Sequence, residues 1–168
     1  MKLYRRTTLA AAAASMVAPR AFAQAFPSKP IKIVVPFAAG SATDLTARGL
    51  GARLQDILKQ PVVIDNKPGA SGQLGASAVA TAPGDGYTLL MGTNTTNAAN
   101  PALFKKLSYD PEKDFAPIMR CVTGVNALVV NNDVPVKSVA ELVDYAKKNP
   151  GKLNYAEASA SQRLSGEM

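Results

Sequence analysis

The sequence predicts an α/β protein built around a parallel sheet. Short runs rich in β-branched residues, such as residues 31–35, alternate with amphipathic segments of helical periodicity. Turns rich in Gly and Pro, such as residues 83–86, separate these segments. Alternation of this kind is typical of parallel β-α-β units, whose crossovers are right-handed in nearly all cases.

The predicted elements follow one another along the chain. Ile31 to Val35 predicts a buried strand, because four of its five residues are Ile or Val. Thr43 to Lys59 predicts a helix from apolar residues spaced three and four apart, with Ser41 as its cap and Asp44 in its first turn. The other predicted elements are strands at 62–65, 87–91, 115–122, 127–130 and 153–156, helices at 73–81 and from residue 164 onward, a short helix capped by Asn100 with Pro101 at its first position, and a helix after the Ser138–Glu141 capping box.

Residues 1–23 predict an export signal peptide. A basic start precedes an apolar run at residues 9–17, and residues 21–23 fit a small-x-small cleavage site with Gln24 as the mature start. Residues 5–9 resemble a twin-arginine motif, so that both Tat and Sec export are open, and a frayed N-terminal helix is the alternative to a signal. Four basic residues lie in this segment, so its removal lowers the formal charge from +7 to +3.

The composition excludes several classes of function. The chain has no His, which rules out Ser-His and Cys-His catalytic pairs and removes the commonest zinc ligand. Cys121 is its only Cys, so an intrachain disulfide is impossible, and its apolar neighbours predict a buried thiol. Basic residues are scattered rather than gathered in a stripe. We expect no enzyme, no cofactor, no metal site and no nucleic-acid partner.

A ligand site is predicted at the carboxyl end of the sheet. With a strand order of 2-1-3, the loops at residues 36–44 and 92–97 lie side by side. The first offers backbone N–H groups at a helix N-terminus, and the second offers Thr hydroxyls and Asn amides. Neither loop contains Lys or Arg, so the pattern favours a carboxylate held by neutral donors, although ordinary turns and caps use the same residue types.

Seven segments also occur in an order that is typical of one protein family. They are residues 27–31 (PSKPI), 35–44 (VPFAAGSATD), 61–70 (PVVIDNKPGA), 85–90 (DGYTLL), 100–107 (NPALFKKL), 114–117 (DFAP) and 151–155 (GKLNY). Together they resemble the solute receptors of tripartite tricarboxylate transporters, also called Bug receptors.

This resemblance implies a two-lobed periplasmic binding protein of type II. It places lobe 1 at residues 24–122 and the start of an incomplete lobe 2 at residues 123–168, since receptors of this kind are roughly twice as long. It further implies a periplasmic monomer without catalysis or cofactor. Such a receptor captures a small organic carboxylate and delivers it to a two-subunit membrane permease.

The resemblance also implies a set of ligand contacts. Gly40-Ser41 stands where the family has consecutive glycines, Arg163 replaces a His, and Glu157 adds a negative charge near the anion site. The implied contact residues are Phe37, Ala39, Gly40, Ser41, Ala42, Thr43, Asp44, Thr93, Asn94, Thr95 and Ser159.

Two other functions remain open at the level of sequence. A ligand-sensing accessory of a signalling system would use the same fold and the same loops. A truncated remnant that binds nothing would also share these motifs, and the shortened loop at residues 157–163 motivates that alternative.

Overall fold

The computed structural model describes residues 25–167, so the predicted signal peptide lies outside the described residues. Their organisation is α/β, as predicted. Three parallel strands form the sheet: β1 (Ile31–Val35), β2 (Val62–Asn66) and β3 (Thr88–Leu90). The strand order is β2-β1-β3, which is the order 2-1-3 that the predicted ligand site assumes.

Strand β1 is central because it is the most apolar of the three. Its residue Ile33 pairs with Ile64 on one side and Leu89 on the other. Ile33, Val34 and Val35 are at most 2% exposed. Both faces of the strand are therefore covered at residues 33–35, as their apolar side chains require, whereas Lys32 is exposed.

Two helices connect the strands. Helix α1 (Ala42–Leu58) follows β1, and helix α2 (Gln73–Ala80) follows β2 after a short 3-10 turn at Ala70–Gly72. Ala47 of α1 packs with Ile33 and Val35 in the core. Both helices therefore match their predicted ranges to within one residue at each end.

The chain after β3 is less compact. A π-helical turn at Thr95–Ala99 continues directly into the short helix α3 (Asn100–Leu103). Helix α4 (Val139–Lys148) and helix α5 (Ala160–Glu167) come later. Helix α4 contributes no buried residue, whereas Ala160 of α5 is buried.

Three predicted strands are wrong. Residues 115–122, 127–130 and 153–156 are irregular, although their composition favours strands. A strand needs a neighbour for its backbone N–H and C=O groups, and none of these segments pairs with another among residues 25–167. Their apolar side chains are exposed instead, Ile118 at 76% and Val129 at 82%.

Three local predictions also fail. Cys121 is exposed rather than buried, because it lies in one of these unpaired segments. Asn100 is not a cap: the preceding turn is already helical, and its side chain points into the interior. Helix α5 begins at Ala160 instead of Leu164, because Ser159 caps it through the N–H of Gln162 at 3.4 Å.

Candidate functional site

The loops that follow the three strands converge at the carboxyl end of the sheet. Gly72, in the loop after β2, marks the point of contact. A Cβ atom on Gly72 would lie 2.8 Å from Cγ2 of Thr96, 3.2 Å from Cβ of Pro36 and 3.6 Å from Cζ of Phe37. The loops after β1 and β3 therefore meet across this glycine, which brings the two predicted ligand loops to one place.

The loop after β1 leads into helix α1 through a left-handed residue and a cap. Gly40 has φ = +82°, a conformation that side chains disfavour, which explains Gly at this position. Ser41 is the N-cap, as predicted, and its Oγ accepts the N–H of Asp44 at 3.3 Å. Ala42 and Thr43 thus occupy the first two helical positions, whose N–H groups have no acceptor within the helix.

The Asp44 side chain is buried and holds the loop after β1 in place through hydrogen bonds. The residue is 1% exposed. Its Oδ2 accepts the N–H of Gly40 at 2.8 Å and the Nε–H of Arg48 at 2.9 Å, and its Oδ1 accepts the amide of Asn66 at 2.9 Å. The Arg48 guanidinium, followed by the Gly40 and Asn66 donors, lowers the pKa of the Asp44 carboxyl to about 2. Asp44 is therefore a fixed anion that is already fully engaged.

Two backbone amides of this loop are engaged within the protein. The N–H of Gly40 is not free for a ligand, because Asp44 accepts it. The N–H of Ser41 is also used, by the carbonyl of Ala38 at 3.2 Å. The donors that remain at this helix end are the amides of Ala42, which is exposed, and Thr43, which is half-buried.

The turn after β3 is held by its own hydroxyl groups. The N–H of Thr93 donates to Oγ1 of Thr96 at 2.9 Å, and the N–H of Asn97 donates to the carbonyl of Thr93 at 2.9 Å. Thr95 and Thr96 are buried, whereas Thr93 is half-buried and Asn94 is exposed. Of the predicted contacts in this turn, Thr93 and Asn94 are the two that solvent reaches.

A buried polar chain supports this turn from the interior. Asn100 is fully buried, and its Nδ2 donates to the carbonyl of Ser71 at 3.0 Å and to Oη of Tyr109 at 3.1 Å. The Tyr109 hydroxyl in turn donates to the carbonyl of Thr96 at 2.6 Å. Asn100 therefore links the loop after β2 to the turn after β3.

Ser159 reaches the same region through a relay of hydroxyl groups. Its Oγ lies 3.1 Å from Oγ of Ser161, which lies 3.2 Å from Oγ1 of Thr95. Arg163, one turn further along α5, pairs with Glu167 at 2.8 Å and contributes no free cation there. The N-terminus of α5 thus touches the turn after β3.

The described residues form two clefts beside these loops. One of about 690 Å³ lies between α3 and the segment around Tyr109. The other, of about 340 Å³, is lined by Ser71, Ser159 and Arg163, among others. Residues 37–44 line neither cleft, and at the start of α1 Ala42 is exposed and Thr43 is half-buried.

Arg48, Asn66 and Ser161 contribute to this region and were not predicted as site residues from the sequence. The spacing of Asp44 and Arg48, four residues apart on a helix, was a usable signal for an ion pair. The pattern Ser159-x-x-Gln162 likewise predicts the start of α5. Nothing local in the sequence indicates that Asn66 contacts the loop after β1, because the two are neighbours only through the sheet.

Neither a metal centre nor a membrane span is found in the part of the chain that the structure describes. No three His, Cys, Asp or Glu side chains of residues 25–167 are placed to hold an ion together. None of the helices in this range combines the length and the apolar character that crossing a bilayer requires.

Comparison with known proteins identifies the family. Residues 46–168 match the model of the tripartite tricarboxylate transporter family receptor. The chain belongs to this receptor family. Its members are receptors of transporters and not enzymes.

Similar proteins agree in sequence and in fold. A UPF0065 protein of Bordetella pertussis is 42% identical over 149 residues, which is 88% of this chain and 45% of that protein. A solved structure described as a periplasmic transporter superposes with a TM-score of 0.73 at 42% identity, over 85% of this chain and 49% of that one. An R. palustris protein, solved with adipate, superposes with a TM-score of 0.70 at 40% identity, over 80% of this chain and 45% of that one. The receptor-family chain thus spans about half the length of the relatives it matches.

Proposed function

We propose that this receptor-family chain captures a small organic carboxylate in the periplasm for a tripartite tricarboxylate-type transporter. The carboxylate binds at the carboxyl end of the sheet, between the N-terminus of α1 and the turn after β3. Its partners are the solute and a two-subunit membrane permease, and the receptor acts as a monomer. No cofactor, metal or catalytic step takes part.

One observation carries this proposal: two donor-rich loops without a basic side chain meet across Gly72, and the first of them leads into the positive end of a 17-residue helix. The N–H groups of Ala42 and Thr43 attract an anion because they lack helical acceptors and the helix dipole points toward them. The half-buried Thr93 and the exposed Asn94 would supply further donors from the turn after β3. A binding site built from neutral donors suits a carboxylate, with ordered water completing the contacts.

The family supports the finer assignments. We propose residues 24–122 as lobe 1 of a type II binding fold and residues 123–168 as part of lobe 2. Closure of two lobes would bury the solute and present a closed surface to the permease. We also propose residues 1–23 as the signal that directs export by Tat or Sec.

Ala42→Pro tests the assigned donor directly. Proline at the first helical position removes one N–H and is tolerated there. The preceding Ser41 has ψ = 159°, which a following proline accepts. We expect adipate to raise the melting temperature of the purified wild type, and the variant to bind at least about tenfold more weakly, since a hydrogen bond to a charged group is lost.

Val139→Pro is the matched control, because it makes the same change at the first position of α4. Its cap Ser138 has ψ = 162°. This variant should bind as the wild type does. A panel of dicarboxylates, tricarboxylates, amino acids and aromatic acids extends the assay beyond adipate. The proposal fails if no acid in the panel shifts the melting of the wild type, or if both proline variants bind equally well.

A further inference from the structure

The loop after β1 is fixed by a side chain from the neighbouring strand. Asn66 is the last residue of β2 and pairs with Val35, the last residue of β1. Its Nδ2 donates to the carbonyl of Phe37 at 3.1 Å and to Oδ1 of Asp44 at 2.9 Å. A single amide group therefore joins the start of the ligand loop to the first turn of α1.

A closed ring of polar contacts completes this link. Arg48 donates Nη2–H to Oδ1 of Asn66 at 3.1 Å and Nε–H to Oδ2 of Asp44 at 2.9 Å. The same Oδ2 holds the N–H of Gly40 at 2.8 Å. The ring has two consequences. It holds both ends of residues 37–44, and it pairs Arg48, the arginine closest in sequence to the loop, with the Asp44 carboxylate.

We infer that Asn66 is a positioning residue for carboxylate capture, which fixes the loop so that the amides of Ala42 and Thr43 face the solute. This inference rests on the proposed function. Asn66 does not need to touch the solute. It acts through Phe37 and Asp44, and it keeps Arg48 paired so that the site stays neutral.

Asn66→Asp isolates this role, because the side chain keeps its shape and its acceptor for Arg48. The substitution replaces the Nδ2 donor by an oxygen that faces the Phe37 carbonyl and the Asp44 carboxylate. We expect the hydrogen-exchange protection of the Gly40 amide to fall at least about tenfold at pH 7, and the affinity for adipate to fall by a similar factor.

The pH profile separates positioning from a merely structural role. The new carboxyl group lies beside Asp44, whose negative charge raises its pKa, and beside Arg48, whose positive charge lowers it. Near pH 4 it becomes protonated in part and donates again. The ratio of variant to wild-type affinity, and the protection of the Gly40 amide, should therefore recover at about pH 4.

Asp65→Asn, the reverse exchange one position earlier, is the matched control. Asp65 faces Lys32 at 4.0 Å and Lys67 at 3.5 Å, away from the ring. Its loss should therefore leave the adipate affinity and the protection of the Gly40 amide within twofold of the wild-type values. Unchanged Gly40 protection in Asn66→Asp would overturn the inference, as would a loss of affinity with no recovery at low pH. If the wild type binds no acid while Gly40 protection behaves as expected, the proposed function fails and the positioning of the loop by Asn66 stands.

Discussion

At the scale of single residues, Asp44 shows that burial can change the role that the sequence predicts for a side chain. In the sequence it is an acidic residue in the first turn of a helix, which the dipole favours. In the structure its side chain is enclosed by the Gly40 N–H, Arg48 and Asn66. The carboxylate therefore holds the loop together, and the donors that we propose for the solute lie on the two residues before it.

Asp44→Asn should change how stability depends on pH. The folded-state pKa of Asp44 is about 2, below the ordinary 3.8. A depressed carboxyl pKa stabilises the fold above the unfolded value, and that stabilisation is lost as pH falls from about 4 toward about 2. We expect the gap in urea midpoint between wild type and Asp44→Asn to be large at pH 7 and to shrink below pH 4.

Asp56→Asn provides the comparison for that measurement, because Asp56 is an exposed carboxylate on the same helix. The difference in urea midpoint between the wild type and Asp56→Asn should stay small at every pH. A gap for Asp44→Asn that stays constant down to pH 2.5 would show that the carboxylate contributes nothing through its ionisation.

At the scale of elements, two helices with the same type of cap differ in what the cap stabilises. Ser41 caps α1, which buries Ala47 against the sheet. Ser138 caps α4, which buries no residue, by accepting the N–H of Glu141 at 3.2 Å. The serine caps make the same kind of hydrogen bond, but only α1 packs against the core.

Ser41→Ala should lower the free energy of unfolding by about 1 kcal/mol, the usual cost of losing a helix cap. Ser138→Ala should leave global unfolding unchanged within about 0.3 kcal/mol, because α4 can fray without opening the core. Urea denaturation followed by circular dichroism measures both. Equal losses for the two variants would mean that α4 unfolds together with the sheet.

The same scale explains the three wrong strands. Residues 115–122 and 127–130 contain the β-branched and apolar residues that favour strands. Propensity of this kind describes how a segment packs on a sheet once a partner strand exists. Helix α1 needs no such partner for its backbone, because its hydrogen bonds are internal, and its prediction was confirmed to within a residue.

At the scale of the whole molecule, order is concentrated in the first part of the described chain. The sheet, α1 and α2 supply the core cluster, which consists of Ile33, Val35, Ala47 and Met91. Between residues 115 and 131 the chain has no regular element, and Ile118, Met119 and Val125 are more than 70% exposed. Local stability should therefore differ sharply between these parts.

Limited proteolysis of the 168-residue chain should reveal this difference. Within residues 25–167, trypsin should cut after Arg120 well before it cuts after Arg53, although both side chains are exposed. Arg53 lies within α1, where cleavage requires local unfolding against the core. Mass spectrometry of the first fragments gives the order of cleavage. Early cleavage after Arg53 would contradict the uneven stability described here.

The sequence by itself determined the α/β class, both crossover helices, the Ser41 cap and the family resemblance. These depend on periodicity, turn residues and motif order, which are properties of neighbours along the chain. The tertiary structure decided that the Gly40 and Ser41 amides are engaged, that Arg48 pairs with Asp44 and that Asn66 contacts the loop after β1. These follow from contacts between β1, β2 and α1, and hydrogen bonds between distant residues leave no periodic trace in a sequence.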